Sequence, residues 1–202
     1  MCKIIAMTDS HVAKGNFLNR IDEICQSGVY GLILREKDTT DAEYEWLVRK
    51  VLPICERYDT RLILHEHVKV ALRLKHPYLH VSMGTLSQMQ GKERRAFWML
   101  GASCHSREEV QKAVCFGATY VTLSPIFETA CKPLADALGT KVLSDVAKNA
   151  TIPVIALGGI RVNNVSQVKK SGAEGICVRG EYMTCKDVAW LTRRFTDQWR
   201  EA

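Results

Sequence analysis

His105 and two glycine turns are the residues of this chain whose types and spacing could do chemistry. His105 directly precedes Ser106-Arg107-Glu108-Glu109, a Ser-x-x-Glu pattern that marks a helix N-terminus. The positive end of the helix dipole favours a neutral imidazole there, so His105 is expected to serve as a general acid/base. The bland reading is a histidine that only hydrogen-bonds its loop. Gly158-Gly159 and Arg179-Gly180 each end an apolar run and open a helical pattern. Such turns leave backbone N–H groups free to approach an anion, which suits phosphate. Tight turns with no ligand are the alternative.

Arg35 and Lys37 alternate along one extended segment, so both side chains can face one side and clamp a second anion. Pairing with Glu36 and Asp38 would make them a solvated charge cluster instead. Ser124, Glu128, Thr129 and Lys132 follow another apolar run and can fold over the same site, or Glu128 and Lys132 can form a plain salt bridge. His65-Glu66-His67 has poor spacing for a metal, because neighbours on an extended segment point apart. No metal is expected there. His80 is expected to be a packed or rim histidine. Cys104 points away from His105, and nothing marks its thiol as activated.

These residues stand where short apolar segments end. The segments are Lys3–Met7, Tyr30–Leu34, Arg61–Leu64, Tyr78–Val81, Ala96–Leu100, Thr119–Leu123, Pro153–Leu157 and Glu174–Val178. Helical rows separate them: Phe17, Ile21 and Ile24; Tyr44, Leu47, Val48 and Val51; Val188, Leu191, Phe195 and Trp199. Pro53 is expected to kink or end the second helix. Leu134, Leu138, Val142 and Val146 form a row that Pro133 can start. The strand runs are continuously apolar, as buried parallel strands are. The fold expected is α/β, a single (β/α)8 TIM barrel in one domain over residues 1–202, with the site where the strands end. A doubly wound sheet would want a glycine-rich first turn. Met7-Thr8-Asp9-Ser10-His11 has none.

The 202 residues carry a net charge of +6, with the cations thinly spread and no aromatic-basic recognition pattern. Small phosphorylated ligands therefore fit better than nucleic acid. No apolar run approaches a membrane span, and a cytoplasmic location is expected. The 8 cysteines include no Cys-x-x-Cys and are read as free thiols.

Together the segments resemble the thiamine-phosphate synthase/TenI family. They are Leu34 to Lys37, Ser103-Cys104-His105-Ser106, Gly117 to Val121, the Ser124-to-Lys132 loop, Ile155 to Ile160 and Gly172 to Ile176. The resemblance implies a TIM barrel, usually a homodimer, acting on a phosphorylated thiazole. In the synthase branch the second strand ends in Gln-x-Arg-x-Lys and grips a pyrophosphate. Arg35 and Lys37 match, but Ile33 takes the glutamine position. The same branch holds magnesium with an Asn-Asp pair and a later Asp, where this chain has His65-Glu66 and Thr85. Only Glu66 is left as a metal ligand if the synthase reading holds.

The TenI-type tautomerase branch has a Ser-x-His-Ser segment and a Phe-Glu-Thr-x-Cys-Lys loop. Ser103 to Ser106 and Phe127 to Lys132 match both. That likeness implies substrate contacts from Ser103 and the loop, no cofactor, and His105 moving a proton that aromatises a carboxythiazole phosphate. A magnesium-dependent synthase is the alternative. A barrel that binds thiamine phosphates without turnover is a third reading.

Overall fold

The computed structural model describes residues 2–129 and 136–202. Eight parallel strands close into a barrel in sequence order. They are β1 (Lys3–Met7), β2 (Gly31–Leu34), β3 (Arg61–His65), β4 (Tyr78–Ser82), β5 (Met99–Cys104), β6 (Tyr120–Leu123), β7 (Val154–Leu157) and β8 (Gly175–Val178). Closure runs through Lys3↔Gly175 to Ala6↔Val178. The (β/α)8 barrel read from the sequence is the observed fold.

Alternation along each strand divides the apolar residues between two cores. Ile5, Met7, Ile33, Ile63, Tyr120, Ile155 and Cys177 fill the interior. Ile4, Leu32, Leu62 and Val121 face outward against the helices. Both faces are buried, and each large apolar side chain so covered contributes about 1.5–3 kcal/mol. That is why the strand runs show no polar alternation.

The outer layer begins with α1 (Phe17–Gln26) and α2 (Asp41–Arg57). Thr40 and Glu43 cap α2 reciprocally, and the helix continues through Pro53 to Arg57. Pro53 is exposed, so the carbonyl it deprives of a partner faces water and the helix does not end there. Next come α3 (Val68–Arg73), α4 (Met83–Gln88), α5 (Gly91–Arg94) and α6 (Arg107–Cys115). Then follow α7 (Gly139–Asn149), α8 (Val165–Lys170), α9 (Gly180–Thr184) and α10 (Val188–Glu201). α10 buries Val188, Leu191, Phe195 and Trp199, the row its sequence shows.

Two segments depart from the sequence reading. β5 lies three residues later than the Ala96–Leu100 run begins, because Phe97 packs in the outer core while Trp98 is 82% exposed in the approach to the strand. The strand itself is built on Gly101, Ala102 and Ser103, which carry little strand signal. On α7 the buried residues are Leu143 and Val146, whereas Val142 is exposed and Leu138 is the N-cap. Pro133 and Leu134 lie outside the described residues. Among the described residues, no helix is long and apolar enough to cross a membrane.

Candidate active site

The C-terminal strand ends surround a cavity of about 690 Å³. His105 closes one side of it, carried by the end of β5 and the start of α6. Ser106 caps α6 by accepting from the Glu109 N–H, and the Glu109 carboxylate accepts the His105 N–H at 2.6 Å. The capping carboxylate thus reaches one residue further back than a standard capping box and pins the backbone of the histidine. The imidazole Nδ1 lies 2.7 Å from the Ser124 carbonyl and 3.2 Å from the Ser124 hydroxyl. A carbonyl only accepts, so Nδ1 is the donor, and the neutral ring carries its lone pair on Nε2.

Gly158 and Gly159 follow β7 with φ of +94° and +64°. A Cβ at Gly159 would lie 2.4 Å from the Glu128 carbonyl, and one at Gly158 would lie 2.8 Å from Pro125. The pair is therefore required by close packing against the β6 loop as well as by its backbone angles. Asn164 locks the turn, donating to the Gly159 carbonyl and accepting from the Arg161 N–H. Gly180 opens α9, whose first N–H groups have no partner within the helix. Both turns border the same cavity.

Arg179, Arg35 and Asp9 meet across β8, β1 and β2. The Asp9 carboxylate lies 3.1 Å from Arg179 and 3.8 Å from Arg35. Arg35 thus pairs with the end of β1 and not with Glu36. Glu36 is buried and accepts from the Thr8 hydroxyl at 2.7 Å and from the Ser10 N–H at 3.1 Å, tying the β1 loop to β2. Lys37 stays exposed at the cavity edge, and Asp38 stands 3.7 Å from His11. The solvated four-charge cluster is not what forms. Asp9, Arg161 and Glu181 carry no motif in the sequence, although each follows a strand end. Arg161 and Glu181 line the cavity.

Ser103, Ser124, Glu128 and Thr129 all border the cavity. Lys132 lies outside the described residues. Burial pushes the Cys104 thiol up to about 12, which rules it out as a ready nucleophile. Seven described cysteines are free.

His65 and His67 both reach the cavity. Burial pushes His65 down to about 4, with the Arg35 and Lys37 charges adding to this against the pull of Glu66. His67 is bound through Nδ1 to Asp41 at 2.7 Å and stacks on Tyr44. Glu66 accepts on one oxygen from the Ser82 N–H and on the other from the Thr85 hydroxyl. Thr85, at the position where the resemblance places a second carboxylate, is therefore a donor to the first. Magnesium wants an octahedral set of oxygens. A single carboxylate, with a threonine where the second would stand, does not supply that set, and no group of three metal-ligating side chains occurs among the described residues.

His80 does not sit at the rim. It is fully buried inside the barrel, bonded to Tyr120 and Ser103.

The thiamine monophosphate synthase family model matches residues 4–181. A thiamine-phosphate synthase of Halalkalibacterium halodurans is 32% identical over 174 residues, 83% of this chain and 81% of that protein. Another from Fusobacterium nucleatum is 29% identical over 92% of this chain and 91% of its own length. Among solved structures, the thiamine phosphate pyrophosphorylase of Pyrococcus furiosus superimposes with a TM-score of 0.85 over 98% of this chain and 96% of its own, at 24% identity. That last likeness carries the fold. The family model and the relatives carry the membership: this chain is an enzyme of the thiamine monophosphate synthase family.

Proposed function

We propose that the enzyme is a metal-independent tautomerase of a carboxythiazole phosphate. The observation that carries this reading is the His105–Ser124 contact, which leaves Nε2 as the basic atom of a ring at the cavity wall. In this reading the substrate phosphate lies on the N–H groups at Gly159 and Gly180, with Arg179 nearby. Nε2 of His105 removes a proton from one ring atom and returns it at another, so no atom is gained or lost. Proton transfer by a positioned group of this kind contributes about 10²–10⁴-fold. The substrate is a small phosphorylated acid, and Arg35 and Lys37 offer cations for its second anionic group. A homodimer in the cytoplasm is part of the proposal by family likeness.

The second reading is thiamine-phosphate synthase, joining a pyrimidine pyrophosphate to a thiazole phosphate. Two observations favour it. The relatives that match over most of the chain bear that name, and Arg35 and Lys37 both border the cavity. Against it stands the carboxylate of Glu66, whose oxygens serve Ser82 and Thr85.

Assays of both reactions, each with magnesium and with chelator, separate the readings. The tautomerase reading expects isomerisation that survives chelation and collapses in His105→Ala. Magnesium-dependent condensation at a rate above isomerisation would establish the synthase. Tight binding of thiazole phosphate with neither turnover would leave a binding protein.

A further inference from the structure

We infer that Tyr120 and His80 are positioning residues that hold the Ser103 hydroxyl as a hydrogen-bond donor to an acceptor atom of the substrate, a carboxylate oxygen or a ring nitrogen. The inference rests on the tautomerase reading for the identity of that substrate, and on the barrel interior for everything else.

The three side chains form a line from the interior to the floor of the cavity. Tyr120 Oη lies 2.9 Å from His80 Nδ1, and His80 Nε2 lies 2.9 Å from Ser103 Oγ. Ser103 borders the cavity, whereas His80 is 0% exposed and Tyr120 is 4% exposed. β4 and β5 bring His80 opposite Gly101, and β5 and β6 bring Gly101 opposite Tyr120. A Cβ at Gly101 would stand 2.3 Å from His80 Nδ1 and 2.2 Å from the Tyr120 ring. The hydrogen bond between His80 and Tyr120 therefore occupies the space that any other residue at 101 would fill.

The direction of the line follows from counting protons. Burial, aided by His65, pushes the His80 imidazole down to about 3, so the ring is neutral and has one donor and one acceptor nitrogen. The Tyr120 hydroxyl has no other partner among the described residues, and a buried O–H left without an acceptor is costly. Tyr120 accordingly donates to Nδ1. Nε2 then carries the proton and donates to Ser103 Oγ. The Ser103 hydroxyl, with its oxygen accepting from His80 and no acceptor of its own among the described residues, turns its proton to the cavity.

Thr122 competes for the opposite direction, because its hydroxyl lies 3.4 Å from Nε2 and could donate there. The shorter contact and the more acidic phenolic proton favour Tyr120 as the donor.

Nitrogen-15 spectra of the labelled full-length enzyme read the tautomer directly, with no variant and no substrate. Protonated Nε2 and bare Nδ1 on His80 are expected. A protonated Nδ1 would overturn the inference, whatever reaction the enzyme performs.

Calorimetry with carboxythiazole phosphate then tests the purpose of the line. Ser103→Ala is expected to weaken binding about ten-fold, the size of one lost hydrogen bond to a charged group. Tyr120→Phe should weaken it in the same direction, and the double variant should bind no worse than Ser103→Ala alone. Additive losses would show that Tyr120 acts on the fold and not through Ser103. Failure of the unaltered enzyme to bind this ligand would overturn the tautomerase reading, and the tautomer of His80 would still decide the positioning line.

Discussion

The Nδ1 atom of His105 lies 2.7 Å from the carbonyl oxygen of Ser124, so one peptide group at the end of β6 orients a side chain carried by β5. Strand pairing sets that distance. Cys104 pairs with Leu123, which places the residues that follow each of them side by side. The histidine is held at both ends: its ring by Ser124 and its backbone by Glu109. A proton-shifting base needs this fixed geometry more than it needs a charged neighbour, because small misplacements of a reacting group cost large factors in rate.

Replacement of His105 by alanine should lower kcat about 10²–10⁴-fold, with KM little changed. Glu109→Ala should act more weakly, because it frees the backbone but leaves the Ser124 contact. Steady-state kinetics of the proposed isomerisation checks both. A Glu109 variant as damaged as the His105 variant would show that the backbone bond is essential to the geometry.

Acid should destabilise the enzyme earlier than its carboxylates alone would. His80 is pushed down to about 3 and His65 to about 4, and His76 is lowered as well, each mainly by burial. An unfolded histidine titrates near about 6.5. Below that pH the unfolded chain binds more protons than the folded one, so stability is complete above about pH 6.5 and is lost as pH falls towards the folded values. Each such histidine adds a slope of up to about 1.4 kcal/mol per pH unit. The lowered carboxylates Glu43, Glu45 and Glu108 act only at lower pH. Urea midpoints measured from pH 7 down to pH 5 should fall steadily, and His80→Gln should flatten that fall even if it lowers the midpoint at pH 7.

Most of the barrel was legible because its strands are continuous apolar runs that stop at polar residues. β6, β7 and β8 begin within a residue of the expected positions, and the Gly158-Gly159 and Arg179-Gly180 turns lie where those runs end. β5 is hard to read in the sequence for a structural reason. Gly101 and Ser103 replace bulky strand formers because one makes room for His80 and Tyr120 and the other borders the cavity. His80 could not be placed from its neighbours in sequence, since its partners come from β5 and β6. Asp9 was equally silent, because only barrel closure brings β8 beside β1 and sets Arg179 against it. Single-strand patterns record burial, whereas these contacts depend on which strands become neighbours.

Gly101→Ala provides a direct test of that packing. The added methyl group would stand 2.2 Å from the Tyr120 ring and 2.3 Å from His80 Nδ1, and both side chains are buried. Overpacking of this kind costs about 1–3 kcal/mol. Thermal unfolding should report the loss. KM should rise as well, since the displaced His80 no longer orients Ser103. A stable variant with unchanged KM would mean that the interior repacks without disturbing the cavity floor.

Chelation and Glu66→Gln together test the reading of the β3 end. Glu66 sits at φ +63°, a backbone angle that carries strain for a residue with a side chain. Its carboxylate spans the Ser82 N–H and the Thr85 hydroxyl at the start of α4. Such a side chain holds two segments together and, with Thr85 where a second carboxylate would stand, supplies one anionic group where an octahedral ion wants several oxygens. On the tautomerase reading, EDTA should leave isomerisation unchanged. Glu66→Gln retains one acceptor and turns an N–H group towards the other donor, so it should lower stability by about 1–3 kcal/mol. The residual activity of the folded fraction should stay close to that of the unaltered enzyme. Loss of turnover on chelation, restored by added magnesium and absent in Glu66→Gln, would instead make Glu66 a metal ligand and return the enzyme to the synthase reading.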